Sequence, residues 1–115
     1  MSGSDTERRL LGLIGLGLRA RNVVVGVEQV REAAKRGKLA LAVIAPDASR
    51  HSLDKVVPLL RAKNVPVIDG PSASRLGAAL GREATAAVGI VDRELAKGIR
   101  AIAASGPGGL QRRVV

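Results

Sequence analysis

The chain is predicted to fold as an α/β domain whose sheet is covered on both faces. Three observations carry this. Short β-branched or wholly apolar runs alternate along the 115 residues with stretches of helical periodicity, the pattern of strands joined through helices. The run LALAVIA, residues 39–45, contains no polar side chain, as expected of a strand buried on both faces. The chain has no Phe, Tyr or Trp, so its core is Leu, Val, Ile and Ala. The length suits one domain with a modest core.

The elements follow in order. Residues 1–4 form a Ser/Gly start, expected to be disordered. Ser4, Asp5 and Thr6 are N-cap candidates for a first helix through ERRLLGLIGLGLRA, in which Leu10, Leu13, Ile14 and Leu18 fall at helical spacing. NVVVG is a short β-branched strand. A second helix, VEQVREAAKR, begins at Gly26 or Val27, stripes Val27, Val30 and Ala34, and stops at Gly37. After LALAVIA, the segment PDASRHS reads as a turn and helix start, with Ser49 and Ser52 as caps. Leu53, Val56, Val57 and Leu60 stripe the third helix, and Pro58 is expected to kink or shorten it. VPVID is a strand. GPSASRLGAALG is a short helix capped by Ser72 and stopped by Gly81. TAAVGIVD is the fourth strand, and RELAKGIRAIAA the last helix. Residues 1–104 are expected to form one domain, and 105–115 a flexible basic tail.

Charge narrows the function. Nineteen Lys and Arg against ten Asp and Glu give a net charge of +9, which suits a polyanionic partner. Residues 27–64 carry +4 of it. Without aromatic rings, RNA modules that stack bases on such rings are excluded. Without cysteine there are no disulfides, thiol nucleophiles or zinc–cysteine sites. The apolar run Leu10–Leu18 is too short to span a bilayer, and a cytoplasmic protein without a membrane role is expected. Signals for catalysis are poor. His51 is the lone histidine, and GLIGLG at 12–17 sits within a helical stripe rather than between strand and helix. Helix packing accounts for those glycines. Asp47 reads as a turn cap rather than a metal ligand. No catalytic residue, metal or cofactor is expected.

The start of the second helix is the candidate site. A helix N-terminus offers unpaired N–H groups and partial positive charge to phosphates or base acceptors. Gly26 permits close approach. Gln29 can donate and accept at base edges, and Glu28 can accept. Arg31, Lys35, Arg36 and Lys38 follow as phosphate contacts. The same pattern equally describes a solvated amphipathic helix with an acidic first turn.

Three stretches, LIGLGLRARNVVVG, GVEQVREAAKRGKLALAVIAPDAS and NVPVIDGPSASRLGAALG, together resemble the kink-turn-binding ribosomal proteins of the L-seven-Ae type, in particular the bacterial YlxQ-like members. The resemblance spans most of residues 10–104. It implies a three-layer α/β/α sandwich around a four-stranded mixed sheet. It also implies binding to a kink-turn, a bent RNA internal loop with tandem sheared G·A pairs. By position, the guanine-contacting residues would be Gly26, Val27, Glu28 and Gln29, and a loop against an extruded base would be Glu83, Ala84 and Thr85. The chain departs from the usual pattern. Glu28 stands where Asn is typical, Gln29 where Glu is, and Glu32 where Lys is. The implied partners are kink-turn or ribosomal RNA, with ribosomal or other ribonucleoprotein proteins beside it. The alternative is a protein-interaction module on the same scaffold, resting on Glu32 and an exposed Ala-rich stretch near Ala84.

Overall fold

The computed structural model describes residues 3–105. Residues 1–2 and 106–115, and with them nearly all of the expected basic tail, lie outside the described residues. The elements are α1 (Gly3–Arg19), β1 (Val23–Val25), α2 (Val27–Lys35), β2 (Leu41–Ile44), α3 (Arg50–Ala62), β3 (Val67–Asp69), α4 (Ala73–Ala79), β4 (Ala87–Ile90) and α5 (Arg93–Ser105).

The strands form one four-stranded sheet in the order β1-β4-β2-β3. β4 pairs antiparallel with both β1 (Val23 with Ile90) and β2 (Leu41 with Ile90), while β2 and β3 run parallel (Ala42 with Val67). The sheet is therefore mixed. Its period-2 alternation divides the core in two. Val23, Val25, Leu41, Val43, Val88 and Ile90 join Leu10 and Ile14 of α1, Leu76 of α4 and Ile99 of α5 on one face. Ala42, Ile44, Val67 and Ala87 meet Val30 and Ala34 of α2 and Val56 and Leu60 of α3 on the other. This is the expected three-layer sandwich, with β2 buried throughout. No described helix is long and apolar enough to cross a membrane.

The start of the chain differs from expectation. α1 begins at Gly3, so Gly3 and Ser4 belong to the helix, and Ser4, Asp5 and Thr6 lie inside it rather than capping it. Asp5 accepts from the Arg8 guanidinium at 2.8 Å, and its charge in the first turn complements the helix dipole. Pro58 does not shorten α3, which continues to Ala62. Pro58 is exposed, while Val56 and Leu60 on either side of it are buried, and their burial holds the helix together past the missing backbone donor. Ser49 caps α3 by accepting from the Ser52 N–H at 3.1 Å. Ser52 is thus the cap's partner and not itself a cap.

The helix ends share one device. Gly37 lies at φ +69°. Its N–H bonds to the Ala34 carbonyl, and that of Lys38 bonds to Ala33, the paired bonds of a Schellman motif. α4 ends the same way, with Gly81 at φ +69° and the Arg82 N–H on the Gly77 carbonyl at 2.8 Å. Both glycines predicted as stops occupy the left-handed position that stops a helix.

Candidate nucleic-acid interface

The register collects several features at one end of the sheet. The C-terminal ends of β1 and β2 lie beside the N-terminal end of β4, through the pairs Val25–Val88 and Ile44–Ala87. The parallel β3 ends there too, with Asp69 against Ile44. α2, α3 and α4 each begin within a few residues of a strand ending at this rim. The loop before β4 comes to the same edge. The Gly26 N–H bonds to the Ala87 carbonyl at 2.8 Å, the Ala45 N–H to Ala86 at 2.9 Å, and the Thr85 N–H to Ala73 at 2.9 Å.

The three helix starts are not equivalent. Ser49 caps α3. α4 has two acceptors: Ser72 takes the Arg75 N–H at 3.3 Å, and the Asp47 carboxylate takes that of Ala73 at 2.8 Å. Asp47 thus caps a helix 26 residues on, a stronger role than the local turn expected of it. α2 has no side-chain cap. Gly26 precedes it at φ 98° and ψ 155°, a conformation that glycine adopts without strain. A Cβ on Gly26 would meet nothing within 4 Å, so the glycine is required by its backbone angle and leaves open space before the helix. The N–H groups of Val27, Glu28 and Gln29 therefore face the rim without a side-chain acceptor, where a phosphate or a base oxygen is favoured.

Glu28 and Gln29 are exposed and Val27 half-buried. Lys55 of α3 lies 3.6 Å from the Glu28 carboxylate. Arg31 donates to the backbone carbonyl of Lys55, so its guanidinium ties α2 to α3 beside the site. Glu32 pairs with Arg36 at 3.4 Å, one turn along. Both pairs are solvent-exposed, worth no more than about 1 kcal/mol each. Lys35, Arg36 and Lys38 are exposed but sit at the far end of α2. At about 1.5 Å per residue, Lys35 lies roughly 12 Å beyond Val27 along the axis. The structure thus groups Gly26, Val27, Glu28 and Gln29 with the 83–85 loop, places Arg31 at their side, and leaves Lys35, Arg36 and Lys38 as a separate basic end.

In the loop, Glu83 and Ala84 are exposed. Thr85 is buried, at 6 % exposure, with its hydroxyl donating to the Glu83 carbonyl at 3.1 Å. It shapes the loop from within. The Ala-rich stretch is not an exposed apolar surface, because Ala87 is fully buried in β4 and Ala86 half-buried. Ala84 alone among them is exposed.

Three roles at the rim, those of Gly77, Asp47 and Lys55, escape sequence reasoning. A Cβ on Gly77 would fall 1.7 Å from the Glu83 carbonyl oxygen, so this helical glycine seats the loop. A Gly in the interior of a short helix was its only sequence signal. Asp47 and Lys55 act through contacts 26 and 27 residues distant, which no local pattern announces. Across the molecule, Glu7 of α1 hydrogen-bonds and attracts the Arg75 guanidinium, raising its pKa above the ordinary arginine value. This pair links α1 to α4.

Residues 8–99 match the Ribosomal protein L7Ae/L30e/S12e/Gadd45 family. The chain belongs to this family. Among the relatives, the RNA-binding protein YlxQ of Bacillus subtilis (strain 168) is 32% identical over 84 residues, covering 73% of this chain and 84% of that protein. An RNA-binding protein of Geobacillus sp. (strain WCH70) is 39% identical over 62 residues, 54% of this chain and 76% of its own length. A solved structure of a protein of unknown function from Bacillus halodurans superposes with a TM-score of 0.74 at 29% identity, over 81% of this chain and 94% of that one. The L7Ae-type match begins at α1 and ends within α5, so it includes every element of the rim.

Proposed function

We propose that this L7Ae-family chain is a non-enzymatic RNA-binding protein that recognises a kink-turn or similarly structured RNA, with ribosomal RNA the favoured class. The observation that carries this reading is the uncapped N-terminus of α2 at Gly26, joined through Ala87 to the strand that follows the 83–85 loop. Unpaired N–H groups with Gln29 beside them suit base acceptors, and Glu83 and Ala84 stand where an extruded base would pack. The names of the relatives as RNA-binding proteins support it, as does the net charge of +9. Lys55 and Arg36 support it further. They offset Glu28 and Glu32, the two carboxylates that would otherwise face phosphates unopposed.

The test is binding of the pure protein to a kink-turn RNA and to a control with its G·A pairs disrupted, at two salt concentrations. Clear preference for the intact kink-turn is expected. Equal, salt-sensitive binding to both would replace kink-turn reading with general affinity for RNA. Binding to neither would leave a protein-interaction module.

A further inference from the structure

Every residue from Leu10 to Leu18 is Leu, Ile or Gly. A helix apolar all round is normally buried all round, but α1 is not. Leu10 and Ile14 are fully buried, whereas Leu16 is 60% exposed, the one large hydrophobic so exposed among the described residues. A groove runs along this outer face. It is lined by Leu11 and Leu16 of α1, Leu80 at the end of α4 and Ile102 of α5, with Arg9 and Arg19. Arg9, Gly12, Leu16 and Arg19 follow one another at offsets of three, four and three, a single stripe on the helix. A Cβ on Gly12 would meet nothing within 4 Å, so the backbone is open to close approach there. Both arginines are exposed and make no ion pair among the described residues. They stand about 15 Å apart along the axis.

We propose that this groove docks an amphipathic helix of a partner protein, with apolar anchors over Gly12 and Leu16 and carboxylates at both ends facing Arg9 and Arg19. The charges decide against a second copy of this chain. Antiparallel α1 helices crossing at Ile14 would set Arg9 of each against Arg19 of the other, and parallel ones would set each arginine against itself. RNA is disfavoured because the lining has no ring on which bases could stack. An acidic helix satisfies both arginines and dries Leu16. The groove lies on the α1/α4/α5 side of the sheet, away from α2, so its occupancy does not require a vacant α2 terminus.

The test uses a labelled synthetic peptide helix of about 14 residues, long enough to reach both arginines. It carries leucines at i, i+3, i+4 and i+7 and glutamates at each end. A second peptide has lysines in place of the glutamates. Fluorescence anisotropy with the full-length protein should show the acidic peptide bound about tenfold or more tightly than the basic one. Arg9→Glu with Arg19→Glu should invert that preference. Gly12→Leu should abolish binding of the acidic peptide with unchanged RNA affinity and a thermal melt no lower than that of the wild type, since leucine favours an open helical position more than glycine does. Equal binding of the two peptides, or none, would overturn the proposal. So would a wild-type dimer that Leu16→Asp converts to monomer, which would make a second copy the occupant. Tighter peptide binding by a full-length Leu110→Asp, Val114→Asp chain would overturn it too, naming the chain's own C-terminal residues instead.

Discussion

At the scale of single residues, Gln29 is the sharpest probe of the proposed RNA site. It is exposed in the first turn of α2, and its amide can both donate and accept at a base edge. Gln29→Ala should weaken kink-turn binding by roughly 1–3 kcal/mol, the scale of one good base contact, with the melting temperature unchanged because the side chain supports no packing. An unaltered dissociation constant in a titration would remove Gln29 from the interface. Gly26 was legible as the turn between β1 and α2, because it stands between a β-branched run and a helical stripe, and its positive φ of 98° bears that out. The partners of its neighbours were not. The i,i+4 spacing of Glu32 and Arg36 allows their pairing to be foreseen. The hold of Lys55 on Glu28, and of Arg31 on the Lys55 backbone, depends on how α3 packs against α2.

Among the elements, α4 and α3 give the clearest predictions. Gly77→Ala must push the Glu83 carbonyl aside. Overpacking of this kind costs about 1–3 kcal/mol. Chemical denaturation should register the loss, and backbone NMR shifts should change through residues 82–86 with the sheet unaffected. A variant of wild-type stability and unshifted spectrum would mean that the loop has room the structure does not show. Pro58 lies exposed inside α3, where it withholds a backbone donor. Pro58→Ala should raise stability by roughly 1–3 kcal/mol, since an interior helical proline costs about 3 kcal/mol relative to alanine. A lower melting temperature would show that the ring is packed to advantage. The strands and helix stops were readable because they rest on local chemistry: apolar runs for β2 and β4, and glycines in the left-handed region for α2 and α4. The shortening of α3 at Pro58 and the start of α1 were misjudged because local rules treat a helix as isolated. In the fold, burial of Val56 and Leu60 outweighs one missing bond.

For the whole molecule, the issue is how charge and layers are divided. The three-layer sandwich followed from the resemblance, and the two apolar clusters of the sheet account for it physically. The clustering of helix starts at one rim is a product of strand direction, which sequence periodicity does not encode. With net charge +9, RNA binding should fall with salt. A plot of log affinity against log salt should have a slope of about −2 to −4, corresponding to roughly three to five neutralised phosphates. A flat plot would point away from a phosphate-bearing partner altogether.

The core built without a single aromatic ring has a practical consequence. The protein contributes no tryptophan or tyrosine emission and almost no absorbance where nucleic acids absorb. Near-ultraviolet signals from a mixture with RNA therefore come almost wholly from the RNA, and unfolding of its base pairs can be followed there with little protein background. The same silence means that one tryptophan introduced at a chosen position becomes the sole fluorophore of the chain. At position 16 its colour would report whether water or a partner lies over α1, and at position 84 whether a base has stacked on the loop.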